Sequence, residues 1–300
     1  MKNKLLKPSH GSVLLNIIPS WLCALLLLSG QLQAQKVALV GVTNFNNSVN
    51  GTLYRDGFSF VALEDIPSGT KIFFTEHDYI DANDAFTVSS EGVTEWTASG
   101  TLSKGCVVSI HEVGSNSSSN DPQVVAVSSS CNGGSVTNAY GSFSMGTSDP
   151  IYAFASTGSG SSGNILNNVT EIYSAVFISS TLSFTTLDPR NDYTDAIVFV
   201  AGADRAAQFK PSLRSGSVSF SDLSAASKWD LYNGTSITSA LSLIDPLSVT
   251  PFANITSGNC PSITFNTTET DESCPNRNDG AILITNVAGG TPPYVYSSDG

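Results

Sequence analysis

Short apolar runs recur along the chain from Lys36 to about Phe252, each bounded by turn residues. They are Val37–Val42, Phe58–Leu63, Lys71–Thr75, Val93–Thr97, Cys106–Ile110, Val124–Val127, Ile151–Ala155, Ile172–Ile178 and Ala196–Val200. Aromatic and β-branched residues dominate them, and Gly, Asn, Ser and Pro separate them, which is a strand-and-turn pattern. A series of short strands over about 215 residues predicts an all-β sandwich with Greek-key connections, because each sheet must bury one face against a second layer. The stretch is long enough to bury a substantial core.

Two segments read as short helices. One is Asp204–Lys210, stopped by Pro211. The other starts at Ser221 or Asp222, with Ser221 as N-cap, and runs to Lys228. The stretches Ser115–Asn120 and Ser156–Asn164 are polar or Gly-rich and read as exposed loops.

The N-terminus has the organisation of an export signal. Lys2, Lys4 and Lys7 precede an apolar stretch that is strongest from Trp21 to Leu28, and small residues lead to a cleavage point after Ala34. A membrane anchor is the alternative, but Pro19 interrupts the apolar run. No later segment is apolar enough to cross a bilayer. The expected organisation is a signal peptide over 1–34, a sandwich domain over 35–255, and a linker with a further small β module over 256–300.

Charge narrows the partners. Three of the 13 Lys and Arg lie in the first 34 residues and none of the 25 Asp and Glu do, so cleavage moves the formal charge from −12 to −15. Such a surface disfavours nucleic acid, whose phosphates need a basic face. Cys106, Cys131, Cys260 and Cys274 remain after cleavage as two local pairs. In an oxidising compartment 106–131 with 260–274 is the simplest of the three connectivities. A zinc site would need CxxC spacing or nearby His, and neither is present.

The last stretch, "CPNRNDGAILITNVAGGTPPYVYSSDG" from Cys274, places an Asp-Gly turn before the alternating run Ala281–Val287. A Gly-Gly and a Pro-Pro pair then precede Tyr294, Val295 and Tyr296. It resembles the SprB-type repeat of cell-surface adhesins from gliding bacteria. Upstream, "FVALEDIPSGTKIFFTEHDY", "EGVTEWTASGTLSKGCVVSI", "DAIVFVAG" and "ASKWDLYNG" resemble a lamin-tail-like or related immunoglobulin-like sandwich domain of secreted bacterial proteins. The first resemblance implies repeated units continuing past Gly300 and a bacterial cell-surface location. The second implies architecture and extracellular display, with no single activity. In this chain "FTEHDY" stands where the family more usually has "FTDNxW".

The acidic loop Glu76, Asp78, Asp81 and Asp84 is the foremost candidate for chemistry. Carboxylates at this spacing on a loop can converge on Ca²⁺, which accepts six to eight oxygens in irregular geometry. EF-hand order is absent, and a solvated acidic loop is the alternative. No catalytic residue is singled out. His77 and His111 lack a G-x-S-x-G elbow to serve. Glu91 and Glu95, four apart on a strand, would stand roughly 13 Å apart. The Gly-rich Thr157–Gly163 lacks a following Lys-Ser/Thr. Trp96 and Trp229 read as core rather than as a carbohydrate platform.

The expected role is therefore the N-terminal part of a secreted adhesin or matrix-binding protein with a link to gliding motility. Its partner would be an extracellular surface, glycan or protein ligand. The alternatives are an accessory region of a secreted enzyme with its catalytic domain beyond residue 300, or a structural spacer.

Overall fold

The computed structural model describes residues 35–44, 54–80, 83, 85–88, 91–113, 122–141, 143, 145, 149–178, 187–193, 196–201, 205–232, 247–256, 264–270 and 281–288. All of them fall in one unit, Ala34–Gly290.

Two six-stranded sheets face each other. The first contains β1 (Val37–Thr43), β2 (Tyr54–Ala62), β7 (Val107–Val113), β8 (Pro122–Val127), β13 (Ala206–Phe209) and β15 (Trp229–Tyr232), in spatial order β15-β13-β1-β2-β7-β8. The second contains β3 (Lys71–Thr75), β6 (Val93–Thr97), β9 (Ser135–Tyr140), β10 (Pro150–Ser156), β11 (Val169–Ile178) and β12 (Ile197–Ala201), in order β12-β11-β10-β3-β6-β9. Within them only β11 and β12 run parallel. Non-sequential neighbours such as β1 with β13 and β3 with β10 make the connections long-range. The chain is thus the all-β sandwich that its periodicity predicts.

Side chains alternate across each strand, so one set from each sheet meets in the middle. Phe58 and Phe60 of β2 meet Phe74 of β3 and Trp96 of β6, with Phe58–Phe74 centroids 4.4 Å apart and Phe60–Trp96 centroids 5.2 Å apart. The Trp96 indole N–H donates to the Gly133 carbonyl, so its one polar atom is satisfied in the core. The outer face of the second sheet is buried too. There Phe73, Tyr152, Phe154 and Phe177 pack with Tyr79 and Phe86 of a short hairpin, β4 (Tyr79–Ile80) and β5 (Ala85–Phe86), and with Ile165 and Leu166 of helix α1 (Ser162–Leu166). Burial on both faces explains why β10 and β11 read as continuous apolar runs.

Several local expectations are corrected. The helix expected over Asp204–Lys210 is not found in its described residues: Ala206–Phe209 form β13, held between β1 and β15. Ala, Gln and Lys favour a helix locally, and the two ladders override that preference. The helix expected near Ser221 is α2 (Phe220–Leu223), followed by a 3-10 turn at Ala226–Lys228. Its N-cap is Ser219, whose Oγ accepts from the Asp222 N–H while Asp222 Oδ2 accepts from the Ser219 N–H. Helix α1 begins within the stretch Ser156–Asn164 that reads as loop and runs on past it to Leu166, with Ser161 as its cap. Strands β9 and β15 were not expected, because polar residues interrupt their apolar pattern.

Cys106 and Cys131 are joined by a disulfide, closing a loop with a sequence separation of 25. Cys260 and Cys274 lie outside the described residues. A last antiparallel hairpin pairs β17 (Thr264–Thr270) with β18 (Ala281–Ala288), in register from Thr264↔Ala288 to Thr270↔Ala281. Among the described residues no helix is long and apolar enough to cross a membrane.

Candidate functional site

The acidic loop begins where β3 leaves the second sheet. Thr75 pairs with Val93, and its hydroxyl donates to the Gly92 carbonyl at 2.8 Å. The His77 N–H donates in turn to that hydroxyl oxygen at 3.2 Å. These bonds carry the chain back over the sheet, so Glu76 and His77 point into protein. Both are buried, Glu76 at 1% and His77 at 0% exposure, which differs from a solvated loop.

Glu76 Oε1 accepts from the Gly92 N–H at 3.4 Å. The His77 Nε2–H donates to the Glu91 carbonyl at 2.9 Å, and His77 Nδ1 lies 3.4 Å from Glu91 Oε2. Burial pushes the His77 pKa below its ordinary value, against the opposing pull of the Glu91 and Thr87 carbonyls. Burial thus favours the neutral ring although its surroundings offer acceptors on both sides. Asp78 is half-buried, and burial raises its pKa, assisted by the negative charge of Asp149.

Just beyond, the Tyr79 hydroxyl donates to Asp192 Oδ2, and the Tyr152 hydroxyl donates to the Leu187 carbonyl at 2.9 Å. Burial first of all pushes the Tyr152 pKa far up. The site thus combines buried His77 and Glu76, partly exposed Glu91, and the Asp78–Asp149 pair. Asp81 and Asp84 lie outside the described residues. Among the described residues no group of three or more His, Cys, Asp or Glu side chains gathers in a metal-holding arrangement.

The remaining candidates are dispersed. His111 sits on β7, buried, with Nε2 3.1 Å from Ser109 Oγ. Glu95 pairs with Lys71 at 2.8 Å and accepts from Thr97 Oγ1, well apart in role from Glu91. Trp96 and Trp229 are buried, as a core reading requires. Asp149 and Asp192 were not singled out from the sequence. They lie far along the chain from Asp78 and Tyr79, and no spacing rule links them.

Fold and site together define an all-β sandwich with a disulfide at the end of β7 and β8, and a buried acidic and imidazole cluster at one strand end. No family profile, no curated protein and no solved structure matches the chain.

Proposed function

We propose that this chain is a display module of a secreted, multi-domain cell-surface adhesin or matrix-binding protein, with a role in movement over surfaces. The observation that carries this is the Cys106–Cys131 disulfide in a sandwich of short strands, since such cross-links persist in oxidising, extracytoplasmic settings. The acidic composition and the SprB-type pattern after Cys274 support the same reading. The role is binding and extension rather than catalysis: small β units in series would combine weak contacts through avidity. Calcium belongs to the proposal at the Glu76, Asp78, Asp81 and Asp84 loop, where a cation would relieve the repulsion between Asp78 and Asp149.

The test is surface protease treatment of intact source cells, followed by binding of the oxidised sandwich to whole cells, glycans and abiotic surfaces. Loss of the protein to external protease, with saturable binding, is the expected result. Protection inside the cell with free thiols at Cys106 and Cys131 would overturn the location. Accessible protein that binds none of these surfaces would overturn the adhesin reading and leave the spacer and the accessory region of a secreted enzyme.

A further inference from the structure

We propose that Gln35 is a modification site. Once cleavage after Ala34 frees its α-amine, that amine closes on the side-chain amide of the same residue and makes a pyroglutamyl N-terminus, with Glu171 relaying the proton. Closure rests on the export reading, since only cleavage at that bond frees the amine.

The small-residue pattern before the cleavage point makes Gln35 the first residue of the exported chain. The fold starts at once. The Lys36 carbonyl accepts from the Leu63 N–H at 2.8 Å, and Lys36 Nζ pairs with Glu64 Oε1 at 2.8 Å. Strand β1 follows from Val37, buried along its whole length between β13 and β2. Cleavage therefore leaves no tail ahead of the sheet, and the new terminus is a residue already seated in the sandwich.

The Gln35 side chain is held by its nitrogen. Nε2 donates to Glu171 Oε1 at 3.3 Å, a contact made across 136 residues of chain. Its Oε1 is buried and has no hydrogen-bond partner among the described residues, so no bond at the carbonyl has to break when Cδ is attacked. The carboxylate thus touches the atom that must leave, and the attacking amine belongs to the same residue as its target, which makes the reaction intramolecular.

An α-amine ordinarily titrates at about 8, so part of it is unprotonated near neutral pH and can attack. The α-nitrogen bonds to Cδ, and the Cδ–Nε2 bond breaks. The attacking nitrogen gives up one proton, Glu171 Oε1 takes it and returns it to Nε2, and Nε2 departs as ammonia. No oxidant, reductant or further reactant enters. The product has no terminal amine and no terminal positive charge, so an aminopeptidase finds nothing to grip at the entry to β1.

The full-length protein, exported by its source cells and cut after Glu residues, tests this through the mass of the peptide Gln35–Glu64. The expected peptide is lighter by one ammonia and blocked to stepwise degradation. Gln35→Ala should give an open, degradable terminus at the same position. Glu171→Gln should slow closure by roughly tenfold or more, read as ring-closed mass against time after a pulse label. An open Gln35 in the exported parent, or a blocked terminus in Gln35→Ala, would overturn the ring. Closure in Glu171→Gln at the parent's rate would overturn the relay. A chain that keeps residues 1–34, or is cut at another bond, would overturn the cleavage itself, a result distinct from an open Gln35 terminus.

Discussion

Phe199 and Trp229 lie face to face, with ring centroids 3.9 Å apart and planes 5° from parallel. Phe199 comes from β12, the edge of the second sheet, and Trp229 from β15, the edge of the first. Their stack closes the sandwich along that side, and the indole N–H is satisfied by the Leu223 carbonyl at 2.9 Å. Trp229→Ala should cost about 3–5 kcal/mol, the range for losing a buried large aromatic. Trp229→Phe should cost less, since it keeps a ring against Phe199. Urea unfolding of both variants checks the order.

Gly57 and His111 form a second pair whose geometry makes a prediction. They face each other across β2 and β7, and a Cβ at residue 57 would lie 2.2 Å from His111 Nδ1. Gly57→Ala should destabilise the fold by about 1–3 kcal/mol through overpacking. Combined with His111→Ala, the same substitution should cost less, because the obstructing ring is gone. Additive losses in a double-mutant cycle would show that the clash is relieved by another route.

The His77 environment sets a pH dependence. Burial lowers its pKa in the folded state, so the unfolded chain binds the proton more readily. As pH falls through the ordinary His value of about 6.5, stability should therefore drop. Asp78 acts in the opposite sense: its raised pKa favours the protonated form in the fold, so acidification through its own range returns some stability. Melting temperatures at pH 7.5 and 5.5 should differ more for the parent than for His77→Gln. Equal pH sensitivity would remove His77 as the cause.

Calcium should raise the melting temperature if the acidic loop binds it, because a ligand held only by the folded state stabilises that state. At about 100 times the dissociation constant the gain is about 2.7 kcal/mol. Asp78→Asn should reduce the rise. A melting curve unmoved by millimolar Ca²⁺ would end the proposal.

Mass mapping of non-reduced peptides should recover the Cys106–Cys131 link and a separate Cys260–Cys274 link. Free thiols at 260 and 274 in oxidised material would refute the second pairing.

Most of the framework was legible in the sequence. The runs at Lys71–Thr75 and Val93–Thr97 are strands with those bounds, and Cys106 pairs with Cys131. The strands are local features, set by alternation and β-branched residues, and the cysteine link is the simplest of three connectivities, joining residues with a sequence separation of 25. What the sequence left open depends on neighbours distant along the chain. Ala206–Phe209 became a strand because β1 and β15 offered ladders on both sides. Glu76 and His77 are buried because Gly92 and Glu91 stand across from them at the start of β6. Asp149 acts on Asp78, and the Phe252 N–H finds the Gly105 carbonyl and the Val249 carbonyl the Ser128 hydroxyl, only once the sheets have formed. Propensity acts within a few residues, whereas burial and hydrogen-bond satisfaction are settled where distant segments meet, so local pattern determined the strands and the tertiary structure decided the site.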